Sequence, residues 1–245
     1  MPTVFDFTSG VVADTNVADG STTRQATQTI GADTLTVALD SASGRHAVVM
    51  TDTDFFGGDI PNLNGAIFAM VDDAFGIANS LTLSLDGGKI FDLTSINIAD
   101  QNFSGDVTYI FTTAKGSVQA TIDTSSGAVV VPFTDPKLQG VTSVVITQQG
   151  GGLFPAVDDI RLDNITLPNA APTFVGAGAT LSVAQNGGAS SASALLHVSD
   201  TDSSQTLTWT SFTAPTHGTL SISGVTAASG GADITPGGVI TYTPA

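Results

Sequence analysis

Paired aspartates are the residues in this sequence whose type and spacing most clearly suggest chemistry. All 22 acidic residues are Asp, and the chain contains no Glu. The close pairs are Asp52 and Asp54, Asp72 and Asp73, Asp158 and Asp159, and Asp200 and Asp202. Adjacent carboxylates repel one another unless a cation, hydrogen bonds or a raised pKa relieves the repulsion. Because Ca²⁺ prefers oxygen ligands of this kind, each pair is a candidate calcium-ligand set.

Asp200 and Asp202 form the strongest of these candidates. They follow a strand pattern, and an Asp-x-Asp spacing in extended chain places both carboxylates on one side, where both can reach one ion. The same residues also suit a turn, because Asp and Ser side chains bond to nearby backbone. Calcium binding and turn formation both remain open for this pair. Asp163, beside Asn164 and together with Asp6, is a further metal candidate.

Catalytic interpretations find little support. Glycosidases use two carboxylates around the sugar, and the absence of Glu removes the commoner proton donor. His46, His197 and His217 are isolated from one another, and no Gly-x-Ser-x-Gly motif is present. We therefore expect a non-catalytic protein, in which His217 holds its turn and His197 packs or points to solvent.

Glycan binding is the main alternative function. Aromatic faces stack on sugar rings, and Phe55, Phe56 and Phe154 lie in glycine-rich loops where they could contact a ligand. The competing interpretation is that these loop aromatics pack back onto the core. A calcium ion held by Asp and Asn could also bridge sugar hydroxyls, and an accessory domain of an extracellular hydrolase is a related possibility.

The overall charge narrows the range of partners. Six Lys and Arg against 22 Asp give a net charge of −16, which argues against nucleic acid and against anionic lipid. No 18-residue apolar run is present, so we expect no membrane insertion. The lack of cysteine removes disulfides and thiolate metal sites, and fits a bacterial surface protein stiffened by calcium. The N-terminus does not have the pattern of a signal peptide.

The hydrophobic pattern predicts an all-β fold of two tandem β-sandwiches. Short period-2 segments alternate with turns rich in Gly, Asp and Ser at the spacing typical of sandwiches. A strand is predicted at 179–183, whereas 65–78 is the one stretch that invites a helical interpretation, although its part at 72–76 looks more like a loop. Pro168 and Pro172 mark a stiff linker, so we predict domains at 1–167 and 168–245.

The second segment resembles the cadherin-like, immunoglobulin-type repeats of large bacterial surface adhesins. The resemblance is carried by Asn169–Thr173, Val198–Asp202, Gln205–Trp209, Pro215–Leu220 and Ile240–Pro244. It implies calcium at the repeat junction, where Asn169 would join Asp200 and Asp202. Such repeats continue past the Tyr-Thr-Pro sequence, so we expect an incomplete domain whose open sheet edge favours dimerisation.

The first segment resembles, at Phe5–Phe7, Gly88–Ile96 and Asp158–Ile165, the jelly-roll modules found beside such repeats and in some carbohydrate-binding proteins. This resemblance implies that the last strand returns beside the first, with Asp163 and Asn164 near the start of the chain. Taken together, the residues and the resemblances predict a secreted or cell-surface bacterial module. We expect it to be part of a longer protein, to bind calcium, and to act in adhesion or as a spacer.

Overall fold

The computed structural model describes residues 1–12, 25–40, 46–51, 62–63, 66–71, 80–100, 105–150, 155–176, 180–210 and 213–245, and for 46–51 and 66–71 it describes the backbone alone. The chain divides into two compact units, Met1–Pro168 and Asn169–Ala245. Across the described residues there are strands and three short 3-10 helices but no α-helix. The all-β prediction is therefore confirmed.

In the first unit, the described residues form thirteen strands in two antiparallel sheets. The strands are β1 (Thr3–Phe5), β2 (Val11–Val12), β3 (Gln25–Ile30), β4 (Asp33–Asp40), β5 (His46–Thr51), β6 (Ala66–Val71), β7 (Ser80–Leu85), β8 (Ile90–Asp100), β9 (Asp106–Thr113), β10 (Gly116–Asp123), β11 (Val129–Pro132), β12 (Ser143–Gln148) and β13 (Pro155–Thr166). One sheet has the order β11-β8-β13-β6-β5, with β1 also paired to β13. The other has the order β10-β9-β12-β7-β4-β3-β2. Short 3-10 helices lie at Asp86–Gly88 and Pro136–Leu138.

Alternation along the strands builds one core between these two sheets. In β7, Leu81, Leu83 and Leu85 are buried while the intervening polar residues stay half-exposed, as a strand with one solvated face requires. Inward residues of both sheets join a single buried cluster that includes Phe5, Leu35, Phe91, Phe111 and Ile160. The backbone of 66–71 is strand β6, paired with β5 and β13, so the helical interpretation of 65–78 is wrong for these residues.

Strand β13 organises the six-stranded sheet. It pairs with β8 along most of its length, with β6 near its beginning and with β1 near its end. Thr3 lies opposite Leu162 and Phe5 opposite Ile160. The predicted return of the last strand of this unit beside the first is confirmed.

The described part of the second unit contains eight short strands in three small sheets. The strands are β14 (Thr173–Phe174), β15 (Ser190–Ser191), β16 (Val198–Asp200), β17 (Thr206–Thr208), β18 (Thr219–Ser223), β19 (Thr226–Ala228), β20 (Gly231–Ile234) and β21 (Val239–Thr243), with a 3-10 helix at Ser193–Leu195. The sheet orders are β14-β16-β20, β15-β21-β18 and β17-β19. The strand predicted at 179–183 is wrong for residues 180–183, which pair with no strand among the described residues; Leu181 instead packs half-buried against the small core.

Candidate functional site

The Asp-x-Asp pair of the second unit lies at the end of β16. Asp200 is opposite Gly231 of β20, after a register shift that follows Val198. Its backbone carbonyl accepts the N–H of Gly230 at 2.9 Å. The pairing with β20 draws Asp200 into the fold, and only 4% of the residue is exposed. The most deeply buried carboxylate of this unit is therefore the one that the sequence singled out.

The two carboxylates differ in their hydrogen bonds. Oδ1 of Asp200 accepts the backbone N–H of Asp202 at 3.1 Å, and Oδ2 of Asp202 accepts the backbone N–H of Ala170 at 2.5 Å. Oδ2 of Asp200 is buried and has no hydrogen-bond partner. Ala170 directly follows Asn169, so the predicted third ligand lies next to a residue that Asp202 contacts. Asn169 itself is exposed.

This arrangement limits what the site can do chemically. The bond from the Asp202 N–H to Asp200 is a turn-type bond and accounts for Oδ1. It does not account for the buried Oδ2 of Asp200, which has no hydrogen-bond partner although a buried polar atom ordinarily has one. No three His, Cys, Asp or Glu side chains gather as a metal-binding group in the described part of the chain. A cation here would take the two carboxylates together with backbone carbonyls and water, a donor set that Ca²⁺ accepts.

Asp163 and Asn164 lie beside β1, as predicted. Both line a surface groove of about 280 Å³ together with Met1, Thr3, Asp33, Leu162 and Ile165. Nδ2 of Asn164 donates to Oδ2 of Asp92 at 2.7 Å, and the N–H of Asn164 donates to Oδ1 of Asp163 at 3.0 Å. Asp92 therefore belongs to this cluster, although the sequence reasoning missed it.

Asp6 does not join Asp163. The register of β1 against β13 places Asp6 after Phe5 and places Asp163 beyond Thr3, so the two lie toward opposite ends of β1. Oδ1 of Asp6 instead accepts bonds from Gln28 Nε2 at 3.0 Å and from the Thr8 hydroxyl at 2.8 Å. The strand register therefore contradicts the prediction that Asp6 and Asp163 belong to one ligand set.

Asp158 and Asp159 point to different environments despite being adjacent. Asp158 is 1% exposed, and its Oδ1 accepts the N–H of Asp159 at 2.7 Å. Asp159 has a φ of 44°, at the point where β13 gains a residue relative to β8. Such a bulge re-aims side chains, so the two carboxylates do not lie on a regular strand, and their role as a calcium-ligand set stays a prediction.

Several predicted residues lie outside the described part of the chain. These are Asp52, Asp54, Asp72, Asp73, Phe55, Phe56 and Phe154. Their proposed roles in calcium or ligand binding therefore stay predictions.

Two histidines have defined partners. Nδ1 of His197 lies 2.6 Å from Oδ1 of Asp233, so this side chain joins β20 to the start of β16 instead of simply packing or facing solvent. The backbone carbonyl of His217 accepts the hydroxyl of Tyr242. The prediction that His217 belongs to a structural turn agrees with this bond.

A groove in the second unit was not predicted. It has a volume of about 220 Å³ and is lined by Pro172, Phe174, Val198, Leu207, Thr208, Trp209 and Thr210. Phe174 is 60% exposed, and Trp209 Nε1 donates to the Leu196 carbonyl at 3.2 Å. The one sequence signal available was that Trp209 is the single tryptophan of the chain.

No protein-family model, no curated protein and no solved structure matches this chain. In the described residues, no helix is both long and apolar enough to cross a membrane.

Proposed function

We propose that this chain is a non-catalytic, calcium-binding β-sandwich module of a secreted or cell-surface bacterial protein, acting in adhesion or as a stiff spacer. The observation that carries the proposal is Oδ2 of Asp200, a carboxylate oxygen that is buried without a hydrogen-bond partner beside Asp202. Burial of an uncompensated carboxylate is costly, and a calcium ion would offset that cost.

The position of the site supports a stiffening role. Oδ2 of Asp202 already holds Ala170 at the start of the second unit. An ion that neutralises the two carboxylates would stabilise this connection, and the resemblance of 169–245 to cadherin-like repeats agrees with calcium at such a position. The net charge of −16 disfavours nucleic acid and anionic membranes as partners.

Thermal unfolding in calcium and in EDTA, together with calorimetric calcium titration, tests the proposal. An ion that binds only the folded state at about a hundredfold excess over Kd adds about 2.7 kcal/mol, or roughly 10–20 °C in Tm for a unit of this size. Asp200→Asn and Asp202→Asn should remove most of this rise.

Asp233→Asn is the matched control, since it removes the same charge from an exposed carboxylate in the same unit. It should leave the calcium-dependent rise in Tm intact. Equal Tm values in calcium and EDTA, with no binding heat, would make Asp200 and Asp202 turn residues and remove the calcium mechanism.

A glycan-binding module is the second candidate, favoured by the groove beside Trp209 and Phe174. Aromatic faces of this kind suit the apolar faces of sugar rings. Trp209→Ala should abolish retention on an immobilised neutral polysaccharide while leaving calcium binding unchanged. If the parent protein shows no retention on a panel of such polysaccharides, this alternative is wrong.

A further inference from the structure

Strand β10 lies at one end of the seven-stranded sheet, and in the described part of the chain it pairs with β9 alone. Its eight residues keep one continuous register from Gly116 to Asp123, without a bulge or a proline. The opposite edge of this sheet, β2, has two residues, and the β11 edge of the other sheet has four and ends at Pro132. Native proteins commonly shorten, bulge or otherwise blunt an exposed edge. Strand β10 instead offers a long, regular edge to another strand.

The hydrogen bonds of β9 show which backbone groups of β10 point outward. In an antiparallel sheet, the N–H and C=O of one residue bond to the neighbouring strand on one side only. The Thr108 carbonyl accepts the Gln149 N–H at 2.9 Å, on the β12 side. Thr121, which lies opposite Thr108 in β10, therefore directs its own N–H and C=O toward the open edge. Because the pattern repeats every two residues, Ser117 and Gln119 do the same.

The two ends of this edge carry opposite charges. At its beginning, Lys137 Nζ donates to the Ser117 carbonyl at 3.3 Å, and Lys137 takes part in no ion pair among the described residues. At its end, Asp123 lies directly opposite Asp106, and both are exposed. Like charges directly opposite each other on two strands destabilise the pairing. A lysine without a carboxylate partner thus marks one end, and two repelling carboxylates mark the other.

An edge with this polarity is complementary to itself. When two copies of β10 pair antiparallel about a twofold axis, the beginning of each strand meets the end of the other. With Ala120 opposite Ala120 of the second copy, Ser117 lies opposite Asp123 of that copy. Lys137, which contacts the Ser117 carbonyl, then lies beside the two carboxylates of the other chain. The same contact forms again at the opposite end, as twofold symmetry requires.

The same register also matches backbone and apolar groups. Gln119 lies opposite Thr121 of the second copy, and both direct their N–H and C=O toward the edge, so they can form ladder hydrogen bonds. Val118 lies opposite Ile122 of the second copy, and both are half-buried residues that pack against the core. Pairing removes more of their apolar surface from water. These matches favour a second copy of this chain over an unrelated segment.

We propose that β10 is a self-association edge through which two copies of this chain join their seven-stranded sheets into one. The contact consists of one strand from each copy, so we expect a dimer that dissociates in the micromolar range, at the weak end of specific interfaces. This edge belongs to the first unit and is distinct from the open edge expected in the second. Association does not depend on the calcium proposal, because Lys137, Asp106 and Asp123 are not among the candidate ligands.

Sedimentation velocity of the full chain over a range of concentrations tests the proposal. Physiological ionic strength is needed because salt screens the repulsion between two chains of net charge −16. The parent should shift from monomer to dimer as its concentration rises. Lys137→Asp and Asp123→Lys should each weaken association by at least about tenfold, since each places like charges together at both ends of the contact. Asp40→Lys, at an exposed position of β4 in the same sheet, is the control and should leave association unchanged.

A mixture of the two charge-reversal variants gives the sharper test. In a mixed dimer of Lys137→Asp with Asp123→Lys, opposite charges face each other again at both ends, so the mixture should associate as the parent does. Gln119→Pro removes an outward N–H that the monomer does not use, which an edge strand tolerates. It should abolish association and leave the Tm close to that of the parent. A monomer at every concentration, a mixture that stays monomeric, or a dimer that persists in Gln119→Pro would overturn the proposal.

Discussion

Polar side chains that are buried in this chain are satisfied to different degrees. Gln28 is fully buried and uses its whole carboxamide, accepting the Phe7 N–H at 2.9 Å and donating to Asp6 and to the Ser9 carbonyl at 3.0 Å. Tyr109 is equally buried, but its hydroxyl has no hydrogen-bond partner. Burial, reinforced by the charge of Asp100, raises the pKa of Tyr109 above its usual range. Buried polar groups ordinarily have hydrogen-bond partners, so Gln28 follows the general pattern and the Tyr109 hydroxyl departs from it.

The ionisation of Asp6 makes the free energy of unfolding of the first unit depend on pH in the acid range. Partial burial acts to raise its pKa, but hydrogen bonds from Gln28 and Thr8 outweigh burial and hold the pKa of Asp6 below 3.8. Its stabilising contribution is therefore present above pH 3.8 and is lost as the pH falls through the lower folded-state value.

Asp6→Asn should lower the free energy of unfolding at pH 7 and reduce its decline below pH 4. Urea unfolding at a series of pH values measures both effects. Asp106→Asn, an exposed position, is the control. Parallel pH profiles for Asp6→Asn and the parent would contradict the role assigned to Asp6.

Gly218 permits a close approach of backbone and side chain in the turn after His217. Its φ is +107°, and an added Cβ would lie 2.4 Å from the Thr243 carbonyl oxygen and 2.8 Å from the Tyr242 hydroxyl. Gly218→Ala should therefore destabilise the second unit by more than about 2 kcal/mol, since strain and steric conflict act together.

Gly224→Ala provides the matched comparison for Gly218→Ala. It also has a positive φ, +61°, but nothing lies within 4 Å of the added Cβ, so only backbone strain of about 1 kcal/mol is expected. Denaturant unfolding followed by Trp209 fluorescence measures both variants. Equal losses would show that the Tyr242 contact is not important.

At the scale of elements, bulges determine which side chains each strand buries. Between Leu93 and Ser95, β8 gains a residue relative to β13. The inward set consequently changes from Phe91 and Leu93 to Ile96 and Ile98. A one-residue shift in a strand moves every later side chain to the other face. This shift is what places Asn97 on the outer face opposite Asp158.

The segment that follows β11 closes the core by an aromatic contact. The rings of Phe111 in β9 and Phe133 lie 4.7 Å apart at 64°, and the Phe133 N–H donates to the Thr94 carbonyl at 2.8 Å. Phe133→Ala should cost about 3–5 kcal/mol by leaving a cavity in the core.

Val130→Ala is the control for Phe133→Ala, because Val130 lies in β11 and is 58% exposed. Its effect should stay within about 0.5 kcal/mol. Chemical denaturation measures both variants. A loss below about 1 kcal/mol for Phe133→Ala would indicate that the ring does not fill the end of the core.

At the scale of the whole chain, the two units have cores of different extent. The first buries large side chains from both sheets, including Phe5, Phe91 and Phe111. In the described part of the second, the buried cluster consists of Ala192, Val225 and Ile240, with half-buried apolar residues around it. Burial of apolar area is the main favourable term in folding. Hydrophobic burial therefore stabilises the second unit less than the first.

We therefore expect the second unit to unfold first when calcium is removed. Trp209, the single tryptophan, reports on this unit. In EDTA the Trp209 fluorescence transition should occur at a lower temperature than the main calorimetric transition, to which the larger core of the first unit contributes most, and calcium should bring the two closer together. Coincident transitions in EDTA would contradict this difference in stability.

Much of the secondary structure follows from local sequence. Alternation at Leu81, Leu83 and Leu85 and the turn residues at Asp86–Gly88 suffice to predict β7 and the turn after it. A strand pattern also occurs at 180–183, but these residues form no strand, because no neighbouring strand among the described residues completes their hydrogen bonds. Strand propensity expresses what fits a pleated, half-buried surface, and whether such a surface exists depends on distant residues.

The sequence by itself determined the all-β class, the acidic character and the candidate aspartates. Only the tertiary structure decided which of those aspartates are buried: Asp200 but not the exposed Asp233, and Asp158 opposite an asparagine that no spacing rule singles out. The physical reason is that composition and period-2 patterns are local, whereas burial is produced by the strand that happens to lie opposite. Register and bulges join residues far apart in the chain, and these long-range pairings decide which polar atoms are buried.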